Sequence, residues 1–166
     1  MIDIYLCDDD ASARRRIQAI LEKKILMEEY DMQVVCSADS AGQLLRALGD
    51  RRQNIYILDV QLKDGQWDGF LLGRELRKRD PGGTLIYITS YGDLACRTFQ
   101  YHLQAFDYIV KTPEQLEASI HCCLEALQDR LLLERTAPVQ VYTIQTGTCL
   151  HHIPLDEILF FETAPR

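Results

Sequence analysis

The sequence predicts an α/β fold, a doubly wound parallel sheet of five strands with helices on both faces, followed by a short C-terminal β fragment. Two observations carry that prediction. Short apolar runs recur from residue 2 to residue 110, and segments of helical period fill the intervals between them. The chain has 166 residues, a formal charge of −7 and 47% hydrophobic residues. That suits one compact domain plus a fragment, and it excludes a mainly disordered or low-complexity chain.

The five apolar runs are Ile2 to Cys7, Gln33 to Cys36, Asn54 to Val60, Thr84 to Thr89 and Phe106 to Val110. Between the first two, Ile17, Ile20, Leu21 and Ile25 share one face of a helix opened by Asp10 or Ser12. The basic run Arg14-Arg15-Arg16 lies mostly off that face and reads as a solvated side. A second helix spans Ser40 to Leu48, with Leu44, Leu45 and Leu48 facing inward. The third carries Phe70, Leu72 and Leu76 and stops at Asp80-Pro81-Gly82-Gly83, where proline and glycine oppose continuation. A fourth, from Gly92 to Tyr101, is short and weakly apolar, as expected of a movable element. Leu116, Ile120, Cys123, Leu124, Leu127 and Leu131 mark a long last helix reaching about Glu134.

Pro138 marks the expected boundary between a first domain, residues 1–135, and a tail, residues 136–166. In the tail, Val139, Val141 and Ile144 begin a strand that turns at Thr146-Gly147-Thr148 and resumes from Leu150 to Ile153. The acidic balance argues against a surface that coats nucleic acid throughout. With no secretory leader and no membrane-length apolar run, the expected compartment is the cytoplasm, without a membrane partner. The six cysteines form no Cys-x-x-Cys pair and read mostly as buried free thiols.

Acidic residues sit at two strand ends: Asp8 and Asp9 after the first run, and Asp59 in Tyr56-Ile57-Leu58-Asp59. In a doubly wound sheet the carboxyl ends of the strands meet at one crevice, so these carboxylates converge there. Carboxylates packed together need a cation, and an all-oxygen set with room for water suits Mg²⁺. Thr89 and Lys111 close two further strands and add a hydroxyl and an ammonium. Such surroundings fit a phosphoryl group attacked in line by a carboxylate, with Asp59 as the candidate nucleophile. Asp9, Asp59 and the backbone carbonyl of Gln61 are the expected Mg²⁺ ligands, with Asp8 acting through water.

The segments Leu6-Cys7-Asp8-Asp9-Asp10, Ile57-Leu58-Asp59-Val60, Ile88-Thr89-Ser90 and Phe106-Asp107-Tyr108-Ile109-Val110-Lys111-Thr112-Pro113 make residues 1 to about 134 resemble the CheY-like receiver domain of two-component response regulators. The resemblance implies a flavodoxin-like strand order 2-1-3-4-5. It also implies a sensor histidine kinase as phosphoryl donor and Asp59 as acceptor. Thr89 and Tyr108 are then the switch residues: Thr89 turns toward the phosphate and Tyr108 moves inward, reshaping a face used for homodimerisation. The family often has a short Pro-Gly turn after its phosphorylated Asp. Here Gln61 to Gly69 is longer and lacks proline, and it places Asp64, Trp67 and Asp68 near the site. Asp64 and Asp68 read as solvated loop residues, whereas Trp67 either covers the site or anchors the third helix.

The tail, with His152-Ile153-Pro154-Leu155-Asp156-Glu157-Ile158 and Phe160-Phe161-Glu162, is similar to the opening of a LytTR-type DNA-binding domain. That implies transcriptional output, with DNA reached only through the remainder of such a domain. Residues 138–166 carry a charge of −2, Arg166 against Asp156, Glu157 and Glu162, and so offer no basic footprint. Cys149, His151 and His152 do not make a metal site, because adjacent strand residues face opposite ways. His102 and His121 read as surface or packing residues.

Two other readings remain open on the sequence. One is a receiver that acts through protein contacts without DNA. The other is a phosphatase of the haloacid dehalogenase type, with Asp8 as nucleophile and Asp10 as general acid, which leaves the ordered set Asp59, Thr89 and Lys111 unexplained.

Overall fold

The structure, a computed structural model, describes residues 1–50, 52–63, 65–95, 98, 101–136, 141–146 and 149–154. Strands β1 (Ile2–Cys7), β2 (Met32–Ala38), β3 (Ile55–Leu58), β4 (Thr84–Thr89) and β5 (Asp107–Val110) pair in parallel in the order β2-β1-β3-β4-β5. Helices α1 (Ala11–Met27), α2 (Ala41–Ala47) and α3 (Gly69–Arg79) connect β1 to β2, β2 to β3 and β3 to β4, and α4 (Leu116–Thr136) follows β5 and packs Ile120, Cys123 and Leu124 on the sheet. This is the flavodoxin-like order expected above. The order reverses beside β1, which opens a crevice at the carboxyl ends of β1 and β3.

Period-two alternation builds two unlike cores. Tyr5, Cys7, Tyr56, Leu58, Leu85 and Tyr87 face one side and join Ala41 and Leu44 of α2 and Phe70, Leu72 and Leu76 of α3. Ile57, Ile86, Ile88 and Ile109 face the other and enclose a cavity of only about 10 Å³ with Leu21 of α1 and Ile120, Cys123 and Leu124 of α4. One side is aromatic and the other is aliphatic. On the aromatic side Tyr5 and Tyr56 lie 5.6 Å apart and Phe70 and Tyr101 stack at 5.5 Å between ring centroids, spacings at which aromatic pairs attract beyond simple burial.

The helix ends follow from capping chemistry. Asp10, not Ser12, opens α1: its carboxylate accepts the N–H groups of Ser12 and Ala13, two of the four that the first turn leaves without partners. Asp68 caps α3 by accepting the Leu71 N–H at 2.7 Å. It is therefore a helix cap, not a solvated loop charge. The inward face of α1 also departs from expectation at one position, since Lys24 is buried while Ile25 is half-buried. The stem of Lys24 packs inward and its ammonium meets Glu28 at 2.8 Å and Glu125 of α4 at 2.7 Å.

Of the expected fourth helix, Gly92–Leu94 form a single 3₁₀ turn, whereas residues 96, 97, 99 and 100 lie outside the described residues. Arg77 at the end of α3 ties the far end of that excursion, donating to the carbonyls of Pro81, Gly83, Leu103 and Gln104. His102 and Gln104 are held there at φ of 52° and 50°, a left-handed conformation costly for residues with a Cβ.

The chain divides into two compact units, Met1–Leu127 and Gln128–Arg166. In the second, β6 (Val141–Thr146) and β7 (Cys149–Pro154) form an antiparallel pair in which Tyr142 opposes Ile153 and Thr143 opposes His152. The expected turn at residues 147 and 148 and the segment from 155 to 166 lie outside the described residues. Cys7, Cys36, Cys122 and Cys123 are free thiols. Cys7 and Cys123 are buried as expected, Cys36 is half-buried and Cys122 is exposed. Among the described residues no helix is long and apolar enough to cross a membrane.

Candidate functional site

Backbone hydrogen bonds carry the sheet one residue past its strands and so fix the site. The Asp59 N–H donates to the Cys7 carbonyl at 2.8 Å, the Asp8 N–H to Ala38 at 3.1 Å and the Lys111 N–H to Thr89 at 2.7 Å. The residues that carry chemistry are thus the first residues beyond β1, β3 and β5 and the last of β4. Their rigidity comes from the ladder, whereas their exposure to the crevice comes from its end.

Asp8, Asp9 and Asp59 each present a carboxylate oxygen within 4.8 Å of the others. The Lys111 ammonium bridges two of them, 2.8 Å from Asp8 Oδ2 and 2.5 Å from Asp59 Oδ2. Asp59 Oδ1 accepts the backbone N–H of Gln61 at 3.3 Å, and Asp8 Oδ1 accepts that of Asp10 at 3.0 Å. Asp8 and Thr89 are fully buried, and Thr89 Oγ1 has no hydrogen-bond partner. The cleft in front of them, about 490 Å³, is lined by Asp9, Asp59, Gln61, Lys63, Tyr91 and Lys111 among others.

The electrostatics follow from this packing. Burial raises the Asp8 carboxyl above its ordinary range, against the opposing pull of Lys111. Burial alone would lower the Lys111 ammonium, but its contacts with Asp59 and Asp8 more than offset that and leave it raised. The donor set fits a hard divalent cation: three carboxylates within mutual reach, only partly neutralised by protein cations.

Tyr108 is half-buried on β5, its ring 6.2 Å from Tyr87 and its hydroxyl donating to the Tyr91 carbonyl at 2.5 Å. Burial pushes that hydroxyl up to about 12, so it remains a donor at neutral pH. Gly69, where α3 begins, lies so close to Asp59 that a Cβ there would stand 2.1 Å from the Asp59 carbonyl oxygen. The absence of a side chain at Gly69 is what allows this approach.

All the expected site residues are therefore brought to one edge of the sheet, Tyr108 lying beside the cleft and not in it. Trp67 does not cover the site: it packs against the aromatic core and borders α3 with Leu71 and Arg74. Asp64 lies outside the described residues. Asp10, the general acid of the phosphatase reading, spends its carboxylate on two helix N–H groups, which hold it below its usual range as an anion.

Three basic residues join the site without warning from the sequence. Arg14 donates to the Asp8 carbonyl at 2.5 Å, Arg16 donates to the Pro113 carbonyl at 2.7 Å, and the Lys63 ammonium lies 3.0 Å from Asp9 Oδ2. Part of the basic run is thus a brace for the site's backbone, not only a solvated side. Arg14 and Arg16 follow Asp8 by six and eight residues on the first helix, and only a model of the strand-to-helix turn relates them to the crevice.

Fold and cleft together define a doubly wound α/β domain with a lysine-bridged acidic site at its topological switch point. The chain belongs to the response regulator receiver domain family, which matches residues 4–121. Accessory gene regulator protein A of Staphylococcus aureus strain N315 is 32% identical over 166 residues, a match covering 98% of this chain and 69% of that protein. The protein of the same name from Staphylococcus epidermidis is 31% identical over the same shares. Among solved structures, the response regulatory domain of mrkE from Klebsiella pneumoniae superposes with a TM-score of 0.65 at 24% identity, covering 81% of this chain and all of that one. A CheY-like response regulator receiver domain protein from Methanospirillum hungatei gives 0.57 at 27% identity, over 79% of this chain and 98% of its own.

Proposed function

We propose that this receiver accepts a phosphoryl group on Asp59 from a sensor histidine kinase and passes the signal to a LytTR-type transcriptional output. The observation that carries the reading is the Lys111 ammonium bridging Asp8 and Asp59. In the transfer, an Asp59 oxygen attacks phosphorus and the bond from phosphorus to the donor's imidazole nitrogen breaks. The nitrogen leaves with the bonding pair and takes up a proton. Lys111 orients the Asp59 carboxylate beforehand and follows the charge onto the phosphoryl oxygens afterward. Thr89 holds a hydroxyl with no partner, a donor in reserve for the new oxygens.

Asp8, Asp9, Asp59 and the Gln61 carbonyl are the groups that would hold a Mg²⁺ ion, which when bound supplies neutralisation of the phosphoryl charge. Thr89 and Tyr108 form the switch: as the Thr89 hydroxyl turns to the phosphoryl group, Tyr108 gives up the Tyr91 carbonyl and moves inward. The remodelled face pairs with a second copy of the chain. Support for the output comes from the staphylococcal relatives, which are named gene regulators and whose match covers 98% of this chain, beyond the receiver alone. On this reading residues 1–135 form the phosphoacceptor domain and 136–166 the linker and opening of the output domain. The protein is cytoplasmic, and it is a phosphoacceptor, not an enzyme acting on a separate substrate.

The test is incubation with a small acyl phosphate and MgCl₂, followed by intact-mass measurement. The wild type is expected to gain one phosphoryl adduct, and Asp59→Asn none. An unlabelled wild type, or equal labelling of Asp59→Asn, would overturn the reading.

A further inference from the structure

Lys63 sits at the mouth of the cleft with its side chain 87% exposed, whereas its partner Asp9 is only 15% exposed. The Asp9 oxygen it approaches at 3.0 Å, Oδ2, is itself buried. Lys63 thus holds Asp9 by one ammonium–carboxylate contact at 3.0 Å, made by a side chain that is otherwise in water. Lys111 differs in exposure and in partners: its side chain is 10% exposed and two carboxylates grip it at 2.8 and 2.5 Å. One ammonium is built in, and the other is tethered and free to leave.

We infer that Lys63 is a built-in counter-cation that competes with the divalent ion for Asp9 and sets how tightly the resting protein binds it. Three carboxylates face two ammonium groups, which leaves one negative charge uncompensated. Exchanging the Lys63 ammonium for a divalent cation brings the site to neutrality, so the exchange is favoured electrostatically and opposed by partial dehydration of the cation and by loss of one exposed ion pair. A pair held by so exposed a side chain is weak. Lys63 keeps the acidic cluster partly compensated in the absence of the ion and raises the ion concentration needed to displace it. The inference rests on the cation site proposed above, at which Lys63 itself is no ligand.

The test is isothermal titration of MgCl₂ into the unphosphorylated full chain at low and high KCl, for wild type, Lys63→Ala and Lys63→Arg. Because Lys63 is exposed and outside the core, both variants are expected to fold as the wild type does. Lys63→Ala is expected to bind Mg²⁺ about two- to fivefold more tightly at low salt, the fold-change equivalent to one exposed pair. Lys63→Arg should match the wild type, and the gap should narrow in high KCl as screening weakens the pair. Equal or weaker binding by Lys63→Ala, with Mg²⁺ bound by all three proteins, overturns this inference and leaves the phosphoacceptor reading standing. Failure of all three to bind Mg²⁺ removes the cation site itself, and this inference with it.

Discussion

The sheet buries a carboxylate at each of its ends, and the two are treated in opposite ways. At the amino end, Asp80 is 2% exposed and receives three neutral donors: the N–H of Gln53 and of Asn54, both at 2.9 Å, and the Tyr56 hydroxyl at 3.0 Å. At the carboxyl end, Asp8 is 1% exposed and shares a lysine with Asp59, while Thr89 beside them keeps an unused hydroxyl. Backbone and tyrosine donors hold Asp80 in a finished network that fixes where β3 begins. The other cluster is left with bonding capacity and with cations that can change partners. A buried polar group that is fully matched contributes order, whereas one left partly matched costs stability and retains chemistry.

Breaking the finished network should have the largest effect. Asp80→Ala deprives the buried Asn54 N–H, the buried Tyr56 hydroxyl and the part-buried Gln53 N–H of that acceptor, and is expected to destabilise the domain by about 3–5 kcal/mol, read from urea midpoints. The opposite end should respond with the opposite sign. Asp8→Asn removes a desolvated charge while keeping an acceptor for the Asp10 N–H, and is expected to raise stability by about 1 kcal/mol in metal-free buffer. A loss in Asp8→Asn as large as that in Asp80→Ala would erase the distinction between the two ends.

The smallest effect calibrates both. Glu125 is 56% exposed and its carboxyl is held below the ordinary 4.5 by the Lys24 ammonium. A carboxyl depressed in the folded state stabilises fully above its unfolded range, and that share is lost as pH falls through the folded value. Urea midpoints should therefore decline on acidification below about pH 4.5, and Lys24→Met should decline less steeply. Identical slopes would assign the acid sensitivity to other carboxylates.

The two ends were also unequally legible in the sequence. Asp8, Asp9, Asp59, Thr89 and Lys111 each close an apolar run, and a parallel sheet sends such closures to one edge, so their meeting could be anticipated. Asp80 stood in a Pro-Gly-Gly stop signal, which says where a helix ends and nothing about what the carboxylate then binds. Asp68 could have been found, since it directly precedes the α3 segment carrying Phe70, a capping position. Strand β2 proved longer than its apolar run because Met32, Ser37 and Ala38 pair with β1 through backbone groups, which polar residues supply as well as apolar ones. Arg16 and Lys63 act across loops: the bond from Arg16 to Pro113 spans 97 residues and leaves no local periodicity to read.

Gly69 donates its N–H to Val60 at 2.8 Å and accepts the Tyr87 hydroxyl at 3.2 Å, while its bare Cα rests against the Asp59 carbonyl. There is no slack in that joint. The peptide of Asp59 lies in direct contact with the first turn of α3, and Tyr87, whose ring neighbours Tyr108, is hydrogen-bonded to the same point. Any chemistry that displaces the Asp59 peptide is thereby geared to a whole helix, and a single methyl group at position 69 would jam the gear.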